Sequence, residues 1–182
     1  MIFEEKLISS ERIYEGAILN VRRDTVTAKK GQAHREIIEH NGAVCIVPIT
    51  DDGKVVMVEQ FRYAMGGVVL EMPAGKIDEG ETDPKQTAIR ELKEETGYTA
   101  TDIRYLGMVN TSVAYSLEKI HIYGMTGLTK GETDFDEDEA IEMKLMDFDQ
   151  VYDMATSGKL IDVKTIAALA MAKEQMKDVL NK

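Results

Sequence analysis

Three glutamates fall within five residues in the run Arg90-Glu91-Leu92-Lys93-Glu94-Glu95-Thr96-Gly97. On a helix, at about 100° per residue, Glu91 and Glu95 share a face and Glu94 lies one step around. Ala88 and Leu92 form the adjoining apolar stripe, so the carboxylate row borders the buried side. Like charges at i,i+4 destabilise an isolated helix by roughly 0.2–0.5 kcal/mol per pair, and more where water is partly excluded. A counter-charge is therefore needed. Arg90 and Lys93 supply part of it. A hard divalent cation supplies it better, because magnesium prefers oxygen ligands and keeps waters and substrate phosphates in its shell. Taken alone, three glutamates more readily describe a solvated acidic helix with scattered salt bridges.

Other reactive residue types are less informative. Glu132-Thr133-Asp134-Phe135-Asp136-Glu137-Asp138-Glu139 reads in isolation as a solvated charge run. His34, His40 and His121 show no metal-ligand spacing. Cys45 is flanked by apolar residues, and no His or Asn arrangement makes it a nucleophile. There is no G-x-G-x-x-G and no Walker A loop, so a doubly wound nucleotide fold is not expected.

The elements that must position the glutamates are readable in outline. Asp83 is an N-cap and Pro84 suits a first helical turn, so the helix starts there. It runs to about Thr96 and stops at Gly97. Before it, Ala43 to Ile49 is a buried strand, and Asp51-Asp52-Gly53 is a hairpin-type turn into a strand over Lys54 to Phe61. Val68 to Met72 is a further short strand. The first 40 residues read as two or three antiparallel strands with a hairpin near Lys29 to Gln32. Later strands are expected around Ile103 to Val109, Lys119 to Thr126 and Ile141 to Met146. Asp147 to Thr156 reads as helix, and Asp162 to Leu180 as one long amphipathic helix. The class is mixed α and β, with strands paired through turns.

Composition sets the outer limits. The 182 residues suit one domain of ordinary size with a small appendage, and 43% hydrophobic with 30% charged residues suits a globular fold. One cysteine excludes a disulfide within the chain. No apolar run approaches the ~20 residues of a membrane span. The N-terminus lacks a basic n-region and an apolar h-region, so no signal peptide is expected and cytoplasm is the expected location. Net charge is −11. Residues 51–100 carry six basic and eleven acidic side chains, and residues 101–150 carry four and eleven. Such a field repels nucleic acid backbones. It suits a protein that binds metal cations, with a phosphate substrate entering as a metal complex.

The surroundings of the three glutamates resemble the Nudix hydrolase signature, G-x5-E-x7-R-E-U-x-E-E-x-G-U with U aliphatic. Gly75, Glu81, Arg90, Glu91, Leu92, Glu94, Glu95 and Gly97 match it. Tyr98 stands where an aliphatic residue is usual. Eight residues, not seven, separate Glu81 from Arg90, and the extra one lies near Thr82-Asp83, in the loop before the helix. The wider chain is similar to the ADP-ribose pyrophosphatase branch. The likeness is carried by Arg35 to His40 with Gly42 to Val44, by Glu59 to Tyr63, by Leu70 to Asp78, and by Gly158 to Asp162 with Lys164-Thr165.

The resemblance implies a Nudix fold, a mixed sheet sandwiched between helices. A small N-terminal antiparallel β-domain over residues 1–41 would precede a hydrolase domain over 42–182. It implies metal ligands at Glu91, Glu95 and the main-chain oxygen of Ala74, with Glu94 as a third helix carboxylate. In relatives an acidic loop supplies a general base and a further metal ligand, which map to Glu137 and Glu139, with Asp136 and Asp138 as neighbouring competitors. Arg90 is expected to pair with the glutamates and orient them. Arg35 and Glu36 match residues that reach the substrate's adenosine half across a dimer interface, and Arg62 matches one that contacts the diphosphate. Ser112 to Glu118 matches a loop that usually reads Ser-Pro-Gly and then Glu four residues on. Val113 and Ala114 replace the proline and glycine here. Ala114 and Glu118 are the substrate contacts implied, with pairing to Lys119 the alternative for Glu118.

The expected reaction is hydrolysis of ADP-ribose to AMP and ribose 5-phosphate, with magnesium as metal and manganese as its alternative. A homodimer is expected, with no nucleic acid or membrane partner. The rival readings are the same chemistry on an ADP-sugar or dinucleotide, on a nucleoside triphosphate, or a non-catalytic domain that binds ADP-ribose or protein.

Overall fold

Residues 2–132 and 140–180 are described by the computed structural model. They divide into two units, one holding residues up to Gly42 with Asn110–Lys119, the other Ala43–Val109 and Ile120 onward.

In the first unit, β1 (Leu7–Glu15), β2 (Asn20–Thr27) and β3 (Gln32–Glu39) form an antiparallel meander. The tight turn between β2 and β3 closes with the Ala28 N–H on the Gly31 carbonyl at 3.0 Å. Glu39 ties the strands across the sheet by accepting from Arg22 at 2.9 Å and from Arg12. Of the residues in these strands only Asp24 and Val26 are buried. All nine residues of β1 are exposed, Leu7, Ile8, Ile13 and Tyr14 among them. The segment 110–118 adds main-chain bonds to β3: Ile38 N–H donates to Tyr115 at 2.7 Å, and Leu117 N–H to Ile38 at 2.9 Å.

The second unit contains β4 (Ala43–Pro48), β5 (Lys54–Arg62), β6 (Gly67–Glu71), β7 (Ala74–Lys76), α1 (Pro84–Thr96), β8 (Tyr98–Thr99), β9 (Asp102–Asn110) and β10 (Lys119–Thr126). Then come β11 (Thr129–Lys130), β12 (Ile141–Asp147), α2 (Phe148–Thr156), α3 (Val163–Gln175) and α4 (Lys177–Leu180). Strands β9 and β10 run to the unit boundary. The central sheet has the order β7-β4-β10-β9, with β4 and β10 parallel and β4 and β7 antiparallel. A second antiparallel sheet has the order β12-β5-β6.

Side chains alternate across a strand, and β4 shows the result. Cys45 and Val47 enter one core with Ile122, Ala168, Leu169 and Ala172, which brings in α3. Val44 and Ile46 enter another with Ala88, Leu92, Tyr123 and Met125, which brings in α1. The expected sheet sandwiched between helices is the fold found. Cys45 is fully buried, and burial pushes its thiol up to about 12. Among the described residues, no helix is long and apolar enough to cross a membrane.

The turn at Asp51-Asp52-Gly53 is hairpin-type as expected, with the Gly53 N–H donating to Thr50 at 3.0 Å and the Thr50 N–H to Lys54 at 2.9 Å, although the pairing does not extend along its flanking strands. β4 and β5 lie in different sheets, joined by an isolated bridge between Ile49 and Val55. The single helix expected over 162–180 breaks at Met176, whose φ of −118° leaves the helix and whose side chain is fully buried in the core with Leu169 and Ala172. Burial of that side chain overrides continuation of the helix. The short strands β7, β8 and β11, two or three residues each, were also not foreseen.

Candidate active site

Helix α1 is fixed at both ends. Asp83 caps it by accepting the Lys85 N–H at 3.0 Å, and Pro84 occupies the first turn. Gly97 ends it with φ of 71° and donates its N–H to Lys93 at 2.8 Å. A left-handed residue there favours glycine. Buried Ala88 and Leu92 set the rotation of the helix, and that rotation grades the glutamates. Glu95 is 4% exposed, Glu91 is largely buried and Glu94 is half-buried.

Both inner glutamates meet the backbone of β7. The Ala74 N–H donates to Glu95 Oε2 at 3.0 Å. The Glu91 carboxylate sits over Gly75 so closely that a Cβ there would lie 1.8 Å from its carboxyl carbon. Gly75 thus provides a cradle that only a residue without a side chain allows. Arg90 serves as counter-charge, with Nη1 2.8 Å from Glu91 Oε1 and donating to Glu94 Oε2 at 2.8 Å. Burial alone would lower its pKa, but Glu91, Glu94 and Glu81 outweigh burial and raise it.

The extra residue before the helix is absorbed by the loop. Glu81 Oε2 accepts the Asp78 N–H and the Thr87 hydroxyl, each at 3.0 Å, and lies 3.5 Å from Arg90 Nη2. The Asp78 N–H first, then Thr87 and Arg90, hold the Glu81 carboxyl below its ordinary value. Glu81 therefore reaches the arginine despite the insertion.

The side-chain groups gathered at β7 are two carboxylates one helical turn apart, Glu91 over Gly75 and Glu95 on the Ala74 N–H. That set suits a hard cation. Among the described residues no three His, Cys, Asp or Glu groups already enclose one.

Arg62, at the end of β5, forms a fork with Glu71, its Nε donating to Oε1 at 2.7 Å and its Nη2 to Oε2 at 2.9 Å. Glu71 is 3% exposed. Lys164 also donates to Glu71, and to Asp162 at 2.8 Å. Burial raises the Glu71 carboxyl, but Arg62 and Lys164 outweigh it and leave it below its ordinary value. These residues line a cavity of about 390 Å³ whose other walls include Met65, Val69, Ile161 and Val163. Glu71, Asp162 and Lys164 had no role in the sequence reading. The available signals were a carboxylate in an otherwise apolar strand and the Asp162-x-x-Thr165 capping pattern.

The remaining expected residues belong to other segments of the chain. Arg35 and Glu36 stand on β3 in the first unit, where Arg35 pairs with Glu5 through Nε at 2.9 Å and Glu36 faces Arg23 in register. Ala114 is exposed in a turn whose Tyr115 and Ser116 N–H groups return to Ser112. Glu118 accepts the Thr111 hydroxyl at 2.8 Å and lies 3.8 Å from His40. Glu137 and Glu139 lie outside the described residues.

Comparison with known proteins adds an independent line. Residues 39–169 match the family model described as the NUDIX domain. The chain is 39% identical over 171 residues to the methanol dehydrogenase activator of Bacillus methanolicus, covering 92% of each. It is 36% identical over 180 residues to the ADP-ribose pyrophosphatase of Bacillus subtilis (strain 168), covering 97% of this chain and 96% of that one. Its fold matches the crystal structure of an ADP compounds hydrolase with a TM-score of 0.84, over 98% of this chain and 97% of the other, at 22% identity.

Proposed function

The chain belongs to the Nudix family, and from that premise we propose that it hydrolyses ADP-ribose to AMP and ribose 5-phosphate in the cytoplasm, with magnesium as its metal. The observation that carries this reading is the convergence of Glu91 and Glu95 on the Ala74–Gly75 backbone. The extent of the similarity to an ADP-ribose pyrophosphatase supports the substrate.

Glu91, Glu95, Glu94, the Ala74 carbonyl and Glu139 would hold the metal. When bound, divalent cations neutralise pyrophosphate charge and lower the pKa of an attacking water. Arg62 binds the diphosphate. Glu137 takes a proton from the attacking water, which adds to one phosphorus as the bridging oxygen leaves. Arg90 orients Glu91 and Glu94, the two glutamates with which it pairs. Arg35 and Glu36 hold the adenosine half, and Ala114 and Glu118 the terminal ribose.

Release of AMP with and without magnesium tests this, beside ADP-sugars, dinucleotides and triphosphates. Metal-dependent AMP formation fastest on ADP-ribose is the expected result. Glu95→Gln should lower turnover on the order of 10²–10³-fold with the fold unchanged. A faster reaction on another compound overturns the substrate, and full activity of Glu95→Gln overturns the ligand assignment.

We also infer a homodimer joined through the N-terminal β-domain, residues 1–41. Its support is β1, which exposes Leu7, Ile8 and Ile13 on a sheet that buries little of itself. Sedimentation at micromolar concentration should give twice the chain mass of 20.3 kDa, and a monomer alone counts against the dimer. The similarity to a methanol dehydrogenase activator favours one second reading, action on a dehydrogenase. A rise in methanol dehydrogenase rate on adding the protein would support it.

A further inference from the structure

The ion-pair network around Glu71 has a direction. It begins at the start of α3, where Asp162 caps the helix by accepting the Thr165 N–H at 3.1 Å and the Thr165 hydroxyl at 2.6 Å. The same Thr165 hydroxyl accepts the Met72 N–H at 2.8 Å in a buried bond. Lys164, on the same turn, reaches the neighbouring Glu71. Two consecutive residues of the chain leaving β6 are thus gripped from one helix end.

The grip ends at Arg62. Glu71 engages one edge of the guanidinium, Nε and Nη2. Nη1 makes no hydrogen bond among the described residues, and Arg62 lines the cavity with a side chain 41% exposed. A fork held along one edge leaves its other edge as a fixed donor, which suits an anionic oxygen. Without its partner the long side chain would sample several rotamers and lose affinity in proportion to the ordering required.

Lys164 contributes in a way Arg62 cannot replace. Glu71 Oε2 lies between Arg62 Nη2 and Lys164 Nζ. Lys164 is itself mostly buried and gives two of its three donors to carboxylates, so most of its bonding capacity is committed within the network. Its charge is spent on the carboxylate that holds Arg62.

We propose that Lys164 is a positioning residue, which fixes Glu71 and through it aims the free edge of Arg62 at the substrate's diphosphate. This rests on the reading of Arg62 as the diphosphate contact.

A double-mutant cycle on ADP-ribose hydrolysis separates the two ideas. Arg62→Ala should raise KM by about ten- to hundredfold. Lys164→Met should raise KM about tenfold with kcat within about threefold, and should add less than about twofold in the Arg62→Ala background. Loss of fold alone would lower the active fraction, hence kcat, and would not produce that coupling. If Lys164→Met leaves Glu71 too poorly paired to fold, the double variant Glu71→Gln with Lys164→Met removes both charges and should show the same KM rise. An unchanged KM in Arg62→Ala overturns the diphosphate contact and this proposal together. A raised KM in Arg62→Ala, with Lys164 variants that leave KM unchanged or act equally in both backgrounds, overturns only the positioning role.

Discussion

At the scale of single residues, Gly75 shows how little space the candidate site leaves. Glu91 rests where a side chain on residue 75 would have to be. Gly75→Ala should displace the Glu91 carboxylate and lower turnover on the order of 10–100-fold, with a melting temperature close to wild type because both residues lie beside the core rather than within it. Steady-state rates with a thermal melt check this, and wild-type turnover would mean that Glu91 is not needed where it sits. The placement of Glu91 and Glu95 was legible in the sequence, because a 3.6-residue period puts them on one face next to Ala88 and Leu92. The hold of Glu71 on Arg62 was not. Glu71 and Lys164 are 93 residues apart, and no local periodicity links charges across that distance. The insertion between Glu81 and Arg90 was visible as a count. How the loop accommodates it depends on the geometry that lets Glu81 find Thr87 and Arg90 together.

At the scale of elements, α1 is set by its ends as much as by its face. Gly97 lies at φ of 71°, and a Cβ there would come within 2.9 Å of the Gly131 carbonyl oxygen. Gly97→Ala should therefore cost about 1–3 kcal/mol, read as a lower urea midpoint at unchanged slope. An unchanged midpoint would show that the helix can end another way. Both ends of this helix were readable, since Asp83-Pro84 and Gly97 are chemical signals that act within a turn. The end of α3 was not, because the burial of Met176 is decided by the core it enters and not by its neighbours in sequence. Likewise β7 is three residues long. It is held by pairing with β4, and no alternation can declare itself over that length.

At the scale of the whole molecule, the buried network links stability to pH. Arg62 and Lys164 outweigh burial and keep Glu71 below its ordinary value, so the unfolded chain binds this proton more readily than the folded one. The stability from Glu71 is present above the ordinary carboxylate value of about 4.3 and is lost as pH falls through the lower folded value. Lys164 is shifted the other way. Burial lowers it, Asp162 and Glu71 outweigh burial, and its stabilisation is present below its ordinary value and lost in alkali. Urea midpoints should thus fall as pH drops below about 4.3, and fall less in the Glu71→Gln, Lys164→Met double variant. Equal losses in both would place the acid sensitivity elsewhere. The molecule also has a practical property for bench work. Its sole thiol, Cys45, is fully enclosed and hard to ionise, so toward maleimides at neutral pH the folded protein behaves as if it had no cysteine. A cysteine introduced at exposed Ile161 or Val163, both on the cavity wall, would accept a fluorophore at one defined place, and a ligand entering that cavity could be followed by light without first replacing the native cysteine.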